Sequence, residues 1–110
     1  MDISFFKEQI TNLILDLSNQ DYDKISADGR TGRLDTTGLK KTIDDYGCKI
    51  VPLPENAFSL AETYPADENA ILIYLPLWTQ EEGRSDLTIS LDCLLKDSKP
   101  LAKINDLRVL

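Results

Sequence analysis

Chemistry has few places to start from in this sequence. None of its 110 residues is histidine, so the side chain most used for proton transfer and metal ligation near neutral pH is missing. Serine–histidine and cysteine–histidine nucleophile systems are thereby excluded within the chain. The two cysteines, Cys48 and Cys93, are far apart and form no CxxC pair. A zinc site would need both thiolates plus carboxylates, which this spacing does not favour. They read instead as small core residues, expected as free thiols in a reducing compartment.

Carboxylates are plentiful, but their spacing says little. Asp44 and Asp45 are adjacent on a predicted helix, point in different directions and read as a solvated face. Asp21, Asp23 and Asp28 match neither the spacing of a calcium-binding EF-hand loop nor its bidentate glutamate. Glu82 and Asp86 flank a polar turn. They would do acid–base work if one were desolvated, but loop-tip carboxylates are usually wet. The run Asp28-Gly29-Arg30-Thr31-Gly32-Arg33 is glycine-rich and doubly basic. It lacks the GxxxxGK[ST] pattern and follows no strand, so it reads as a tight loop whose arginines pair with nearby carboxylates or carbonyls. The sequence therefore predicts no catalytic residue, no metal ligand set and no cofactor, and the chain is not expected to be an enzyme.

What remains is a surface. Trp78, the single tryptophan, stands beside Glu81, Glu82, Arg84 and Asp86. These five residues are the expected partner-binding site. Tyr64, Trp78 and Arg84 would be its anchors if exposed, since aromatic residues and arginine dominate interface energetics. Arg84 and Asp86 also have a structural reading, as a cross-turn ion pair.

The elements that must position these residues follow from periodicity. Ile3, Phe6, Ile10, Leu13, Ile14 and Leu17 line one face of a helix over 3–18, with Asp2 or Ser4 as cap. A short helical turn is expected over Asp21–Ala27. Asp35 as N-cap, a Leu34–Leu39 staple and Gly47 as terminator predict a helix over 36–46. The pattern then becomes extended. Residues 50–54, with two prolines, predict a connector or edge strand. A strand over 60–64 should end at Pro65, with a turn over 65–69. Ala70–Thr79 is the central strand, where Pro76 implies a bulge or an unpaired edge. A polar turn over 80–84 leads to an alternating strand over 87–95. A turn over 97–100 leads to a last strand. Ala102 and Ile104 are out of phase with Leu107 and Val109, which predicts a bulge near Asn105-Asp106. The fold class is α+β, with two to three N-terminal helices on one face of a curved antiparallel sheet of about four strands.

The length fits one domain over residues 1–110. Net charge is −7, with seven basic and nine acidic residues up to Pro54 against five and ten after it. The acidity is concentrated in the sheet half. Acidic surfaces repel phosphate backbones and anionic membranes, so neither nucleic acid nor membrane is an expected partner. A basic protein partner fits the charge. The start, Met-Asp-Ile-Ser, has no secretory signal pattern, so a cytoplasmic location is expected. A monomer or weak dimer is expected.

Four runs carry a resemblance: Asp28-Gly29-Arg30-Thr31-Gly32-Arg33-Leu34, Val51-Pro52-Leu53-Pro54, Leu77 to Thr88 (LWTQEEGRSDLT) and Asp106 to Leu110. Together they resemble an uncharacterised family of small bacterial proteins similar to cystatin-like and NTF2-like α+β domains. The resemblance spans nearly the whole chain and implies helices packed on a curved sheet, with no established activity. Size, acidity and missing catalytic machinery are also typical of immunity proteins, which block a cognate toxin. By that analogy the partner is a basic toxin domain. The alternative is an NTF2-like ligand-binding or enzymatic domain, with Tyr74, Trp78, Glu82, Arg84 and Asp86 lining the mouth of the sheet concavity.

Overall fold

The computed structural model of the protein describes residues 2–32 and 34–109. Arg33, one of the two loop arginines, lies outside the described residues. The chain starts with a 3-10 turn, Ile3–Phe6, capped by the Asp2 carboxylate on the Ser4 N–H, and runs into α1, Lys7–Ser18. Phe6, Ile10, Leu13, Ile14 and Leu17 are buried along one face, each worth roughly 1.5–3 kcal/mol when fully buried. A short α2, Tyr22–Ala27, adds Tyr22 and Ile25 to the core. Helix α3, Thr36–Tyr46, has the predicted bounds. Asp35 accepts from the Gly38 N–H at 2.6 Å, and Gly47 adopts φ +80° at the C-cap, where a residue with a Cβ would be strained.

The rest is sheet. Strands β1 (Ile50–Val51), β2 (Glu62–Asp67), β3 (Ala70–Thr79), β4 (Gly83–Lys96) and β5 (Lys99–Val109) pair antiparallel in an open sheet. The order is β1-β3-β4-β5, and β2 also pairs with β3. The fold is α+β, with three helices against five strands rather than about four. On β3, β2 reaches Tyr74 and β1 starts at Trp78, so this edge has no paired strand over 75–77. Pro76, with no N–H to pair, stands in that gap. The register against β4 also shifts between Pro76 and Trp78, so both readings of this proline hold.

Several strand boundaries differ from expectation: β4 starts at Gly83, inside the expected 80–84 turn, β5 at Lys99, inside the expected 97–100 turn, and β2 differs at both ends. Ala57–Leu60 is a 3-10 turn, and β2 runs through Pro65 to Asp67 instead of ending at the proline. Pro65 is tolerated because β2 pairs on one side alone, so a missing N–H on its outer side breaks no ladder. The predicted bulge in β5 is present: Ser90 pairs with Asp106 and Leu91 with Ile104, which leaves Asn105 over. Asn105 turns its amide onto the Ser90 hydroxyl at 2.9 Å. Alternation is strict in β3. Ile71, Ile73, Leu75, Leu77 and Thr79 face the helices, whereas Leu72, Tyr74, Pro76 and Trp78 face away, half-buried.

The loop after α2 is the most constrained connection. The Arg30 guanidinium is buried and donates to Asp16 at 2.7 Å and to Asp28 at 2.9 Å. Lys24 reaches the other Asp16 oxygen at 3.3 Å. The Arg30 carbonyl accepts from the Ile104 N–H at 2.8 Å, so the loop lies along β5. Gly32 adopts φ +58°, and a Cβ there would stand 2.1 Å from the Ile104 carbonyl oxygen. Only glycine fits both constraints. Burial alone would raise the Asp16 pKa. The hydrogen bonds and charges of Arg30 and Lys24 outweigh it, and the carboxyl sits below its ordinary value.

Two outcomes follow. Gly32→Ala combines left-handed strain with overpacking and should lower unfolding free energy by roughly 2–4 kcal/mol in urea titrations. A loss below measurement error would refute the close approach to β5. Asp16→Asn takes the buried counter-charge from Arg30 and leaves it the more exposed Asp28, and should cost on the order of 3 kcal/mol at neutral pH. Because the folded pKa of Asp16 is depressed, its contribution is complete above the unfolded value near 4 and disappears as pH falls through the lower folded value. The stability gap between native protein and Asp16→Asn should therefore narrow in acid, and a gap independent of pH would contradict this account.

Candidate functional site

The expected site residues lie on and beside the β3–β4 turn. Trp78 is half-buried on the sheet face turned away from the helices, between Val51 of β1 and Arg84 of β4. Glu81, Glu82, Arg84 and Asp86 are exposed. Among the described residues Arg84 and Asp86 form no ion pair with each other. The physical reason is a bulge between them. Ser85, Asp86 and Leu87 together face Leu77 alone, so the cross-turn register expected for Arg84 and Asp86 is broken there.

That bulge is held by a polar network. Ser85 is buried, accepts from the Leu87 N–H at 3.0 Å and donates to Glu82 Oε1 at 2.9 Å. Thr79, also buried, donates to the same Glu82 oxygen at 3.2 Å and accepts from the Glu82 N–H at 3.1 Å. The Tyr46 hydroxyl, at the last residue of α3, donates to Glu82 Oε2 at 3.2 Å and lies 2.8 Å from the Ser85 hydroxyl. Glu81 Oε1 accepts from the Lys49 N–H at 2.9 Å. The turn is thus fastened to α3 and to the start of β1. The Glu82 carboxylate is committed to this fastening through both oxygens. Glu81 keeps one oxygen outside it, and Arg84 and Asp86 keep their charged groups free of ion pairs among the described residues.

Sequence reading missed Tyr46, Thr79 and Ser85 as members of this network. Parity carried the signal. Thr79 continues the inward series of Ile73, Leu75 and Leu77, and Ser85 continues that of Leu87, Ile89 and Leu91. A hydroxyl on an inward position needs a partner, and Glu82 supplies it.

The lining expected for a ligand-binding concavity is not gathered. The space between helices and sheet is filled by a contiguous apolar core. An open depression of about 390 Å³ lies on the outer face, lined by Glu62, Tyr64, Leu72, Tyr74 and Arg108. Of the expected lining residues it contains Tyr74, but not Trp78, Glu82, Arg84 or Asp86. Tyr64 and Tyr74 meet edge to face, with centroids 5.7 Å apart, and the Tyr64 hydroxyl donates to Glu62 at 2.8 Å. That bond to the carboxylate, together with its charge, raises the Tyr64 pKa. A second depression, about 400 Å³, lies between α1 and β5, with Asp16, Lys24, Asp28 and Arg30 in its wall. Its charges already pair with one another.

Among the described residues no three Cys, Asp or Glu side chains gather as a metal ligand set would require. No helix among them is long and apolar enough to cross a membrane. Both cysteines are free. Cys93 is buried in β4, and burial, with the Asp92 charge second, pushes its thiol up to about 12. Cys48 is half-buried, and burial followed by the charges of Glu81 and Glu82 raises it as well. The thiolate is the reactive form. In native protein at mild alkaline pH, a disulfide reagent should therefore modify Cys48 slowly and Cys93 only after urea unfolding. Rapid modification of both thiols before unfolding would contradict the burial of Cys93.

No curated protein and no solved structure matches the chain. A family model described as a domain of unknown function, DUF7668, matches residues 14–110. That span takes in α1 from Ile14 onward, both later helices, the Arg30 loop and all five strands. The chain belongs to the DUF7668 family of domains of unknown function.

Proposed function

We propose that this domain is a binding protein that occludes a basic protein partner, in the manner of an immunity protein that neutralises a cognate toxin domain in a bacterial cytoplasm. The observation that carries the reading is the uncovered sheet face beside an ordered acidic turn. The helices close one side of the sheet. The other side presents Leu72, Tyr74, Pro76 and Trp78, half-buried, with Tyr64 46% exposed at its margin. Aromatic and aliphatic side chains of this kind form the centre of an interface, and charges form its rim. Glu81 and Asp86 supply that rim.

The turn is also fixed before any partner arrives. Tyr46, Thr79, Ser85 and Lys49 hold Glu81 and Glu82 in place. A surface ordered in advance loses less entropy on binding. Net charge of −7 supports a basic partner, because opposite charge speeds encounter and selects against acidic competitors. The free thiols fit a reducing compartment.

The network decides which variants test this. Glu82→Lys would disturb the fold as well as the rim, so it does not isolate binding. Asp86→Lys does, and Glu81→Lys, which also gives up the bond from the Lys49 N–H, is read beside it. Against a stoichiometric basic partner captured from native cells, each should weaken binding about 5- to 10-fold, mainly through slower association and a shallower salt dependence. Unchanged dissociation constants and unchanged salt dependence in both variants would remove the hairpin from the interface.

A further inference from the structure

The depression on the outer sheet face is built from groups that together recognise one chemical feature. Glu62 pairs in register with Tyr74, and Tyr64 with Leu72, so the four side chains share the outer face across β2 and β3. The Tyr64 and Tyr74 rings stand at 82° and form two walls of a corner. The Tyr64 hydroxyl draws the Glu62 carboxylate to the same corner at 2.8 Å through Oε2, which leaves Oε1 without a partner in that bond. Arg108 forms the far wall and is turned to Asp106 at 3.4 Å, which offsets its charge. The cation–ring contact found among the described residues is Lys7 over Phe58, so neither tyrosine is already occupied by Arg108.

Two perpendicular aromatic faces with a carboxylate beside them suit a planar cation. The ring faces are electron-rich and attract a cation within about 6 Å of a centroid. A guanidinium stacks on one ring while its N–H groups bond to the carboxylate, which an ammonium does less well. We propose that the Glu62–Tyr64–Tyr74 corner is a receptor for an arginine side chain presented by a polypeptide partner. Its carrier rests on the partner-binding reading above, whereas the chemistry of the corner stands on its own geometry. The site lies on the β2 half of β3, and the acidic hairpin lies beyond Pro76 at the other end. A basic partner that covers the sheet face would meet both.

The test uses the full chain, isotope-labelled, titrated with a blocked Gly-Arg-Gly peptide and followed by amide chemical shifts. The expected result is saturable shifts at residues 62–64 and 72–74. The matching citrulline peptide, isosteric but uncharged, should bind about 10-fold more weakly, and the lysine peptide should also be weaker. Glu62→Gln should weaken arginine binding about 5-fold, and Tyr74→Leu should do at least as much. Tyr64→Phe keeps the ring but frees the Glu62 carboxylate from its bond, so it should weaken arginine binding by less than Glu62→Gln does. Equal binding of arginine and citrulline peptides, no saturable shift, or shifts confined to residues 81–86 would each overturn the proposal. The two readings fail separately. Arginine binding at the corner combined with partner binding indifferent to Glu81→Lys and Asp86→Lys keeps the receptor and removes the hairpin. The reverse pattern keeps the hairpin and removes the receptor.

Discussion

The ion pair between Arg30 and Asp16 joins parts of the chain that lie apart in sequence. Asp16 is on the third turn of α1, Arg30 is in the loop after α2, and the Arg30 carbonyl reaches Ile104 in β5. Burying two charges is costly unless geometry and extra hydrogen bonds compensate. Here Lys24 and Asp28 give each buried charge a second partner, and the Arg30 Nε is left without one. The consequence is positional. The loop is pinned to the outer edge of β5 at Ile104, and Gly32 lets its backbone approach where any Cβ would collide. An open strand edge invites pairing with other chains, and a covered one does not.

A second fastening at the opposite end of the molecule completes the frame. Glu82 collects Tyr46, Thr79 and Ser85, and so ties the last turn of α3 to the β3–β4 hairpin. Between these two fastenings the helices seal one face of the sheet with Phe6, Ile10, Leu13, Ile14, Leu39 and their neighbours. The other face has no layer over it. On β2 and β3 it carries Tyr64, Leu72, Tyr74, Pro76 and Trp78, and β4 and β5 add Thr88, Ser90, Asp92, Lys103 and Arg108 beside them. That is the face proposed for recognition, with carboxylates at both ends: Glu62 by the tyrosines and Glu81 with Asp86 by the hairpin.

Much of this was legible in the sequence, for identifiable reasons. The 36–46 helix was bounded by side-chain chemistry at both ends, Asp35 and Gly47, and such caps act locally. Strand β3 and the bulge at Asn105 followed from parity, which any inward-facing strand must obey. Strand β2 was misdrawn because Pro65 was given the meaning it has inside a sheet, and whether a strand is an edge depends on topology. That error hid Glu62 from the candidate site, since its place beside Tyr74 follows only from the β2–β3 register. The loop arginines were expected to pair with carboxylates, but Asp16 as the partner of Arg30 was not readable. It lies on the helix flank just outside the apolar stripe, where charged residues are ordinarily solvated. Glu82 was read as a surface charge for the same reason.

The central claim is that the Arg30–Asp16 pair holds the loop over the β5 edge at Ile104, beside the outer sheet face proposed for recognition. Native-state amide hydrogen exchange of the Ile104 N–H, compared between the native chain and Arg30→Met, tests it most directly. The account predicts a slowly exchanging Ile104 amide that becomes much faster in the variant, while β3 amides paired with β4 stay protected relative to it. An Ile104 amide that exchanges in the native chain as fast as an open strand edge, or one unaffected by the substitution, would contradict it.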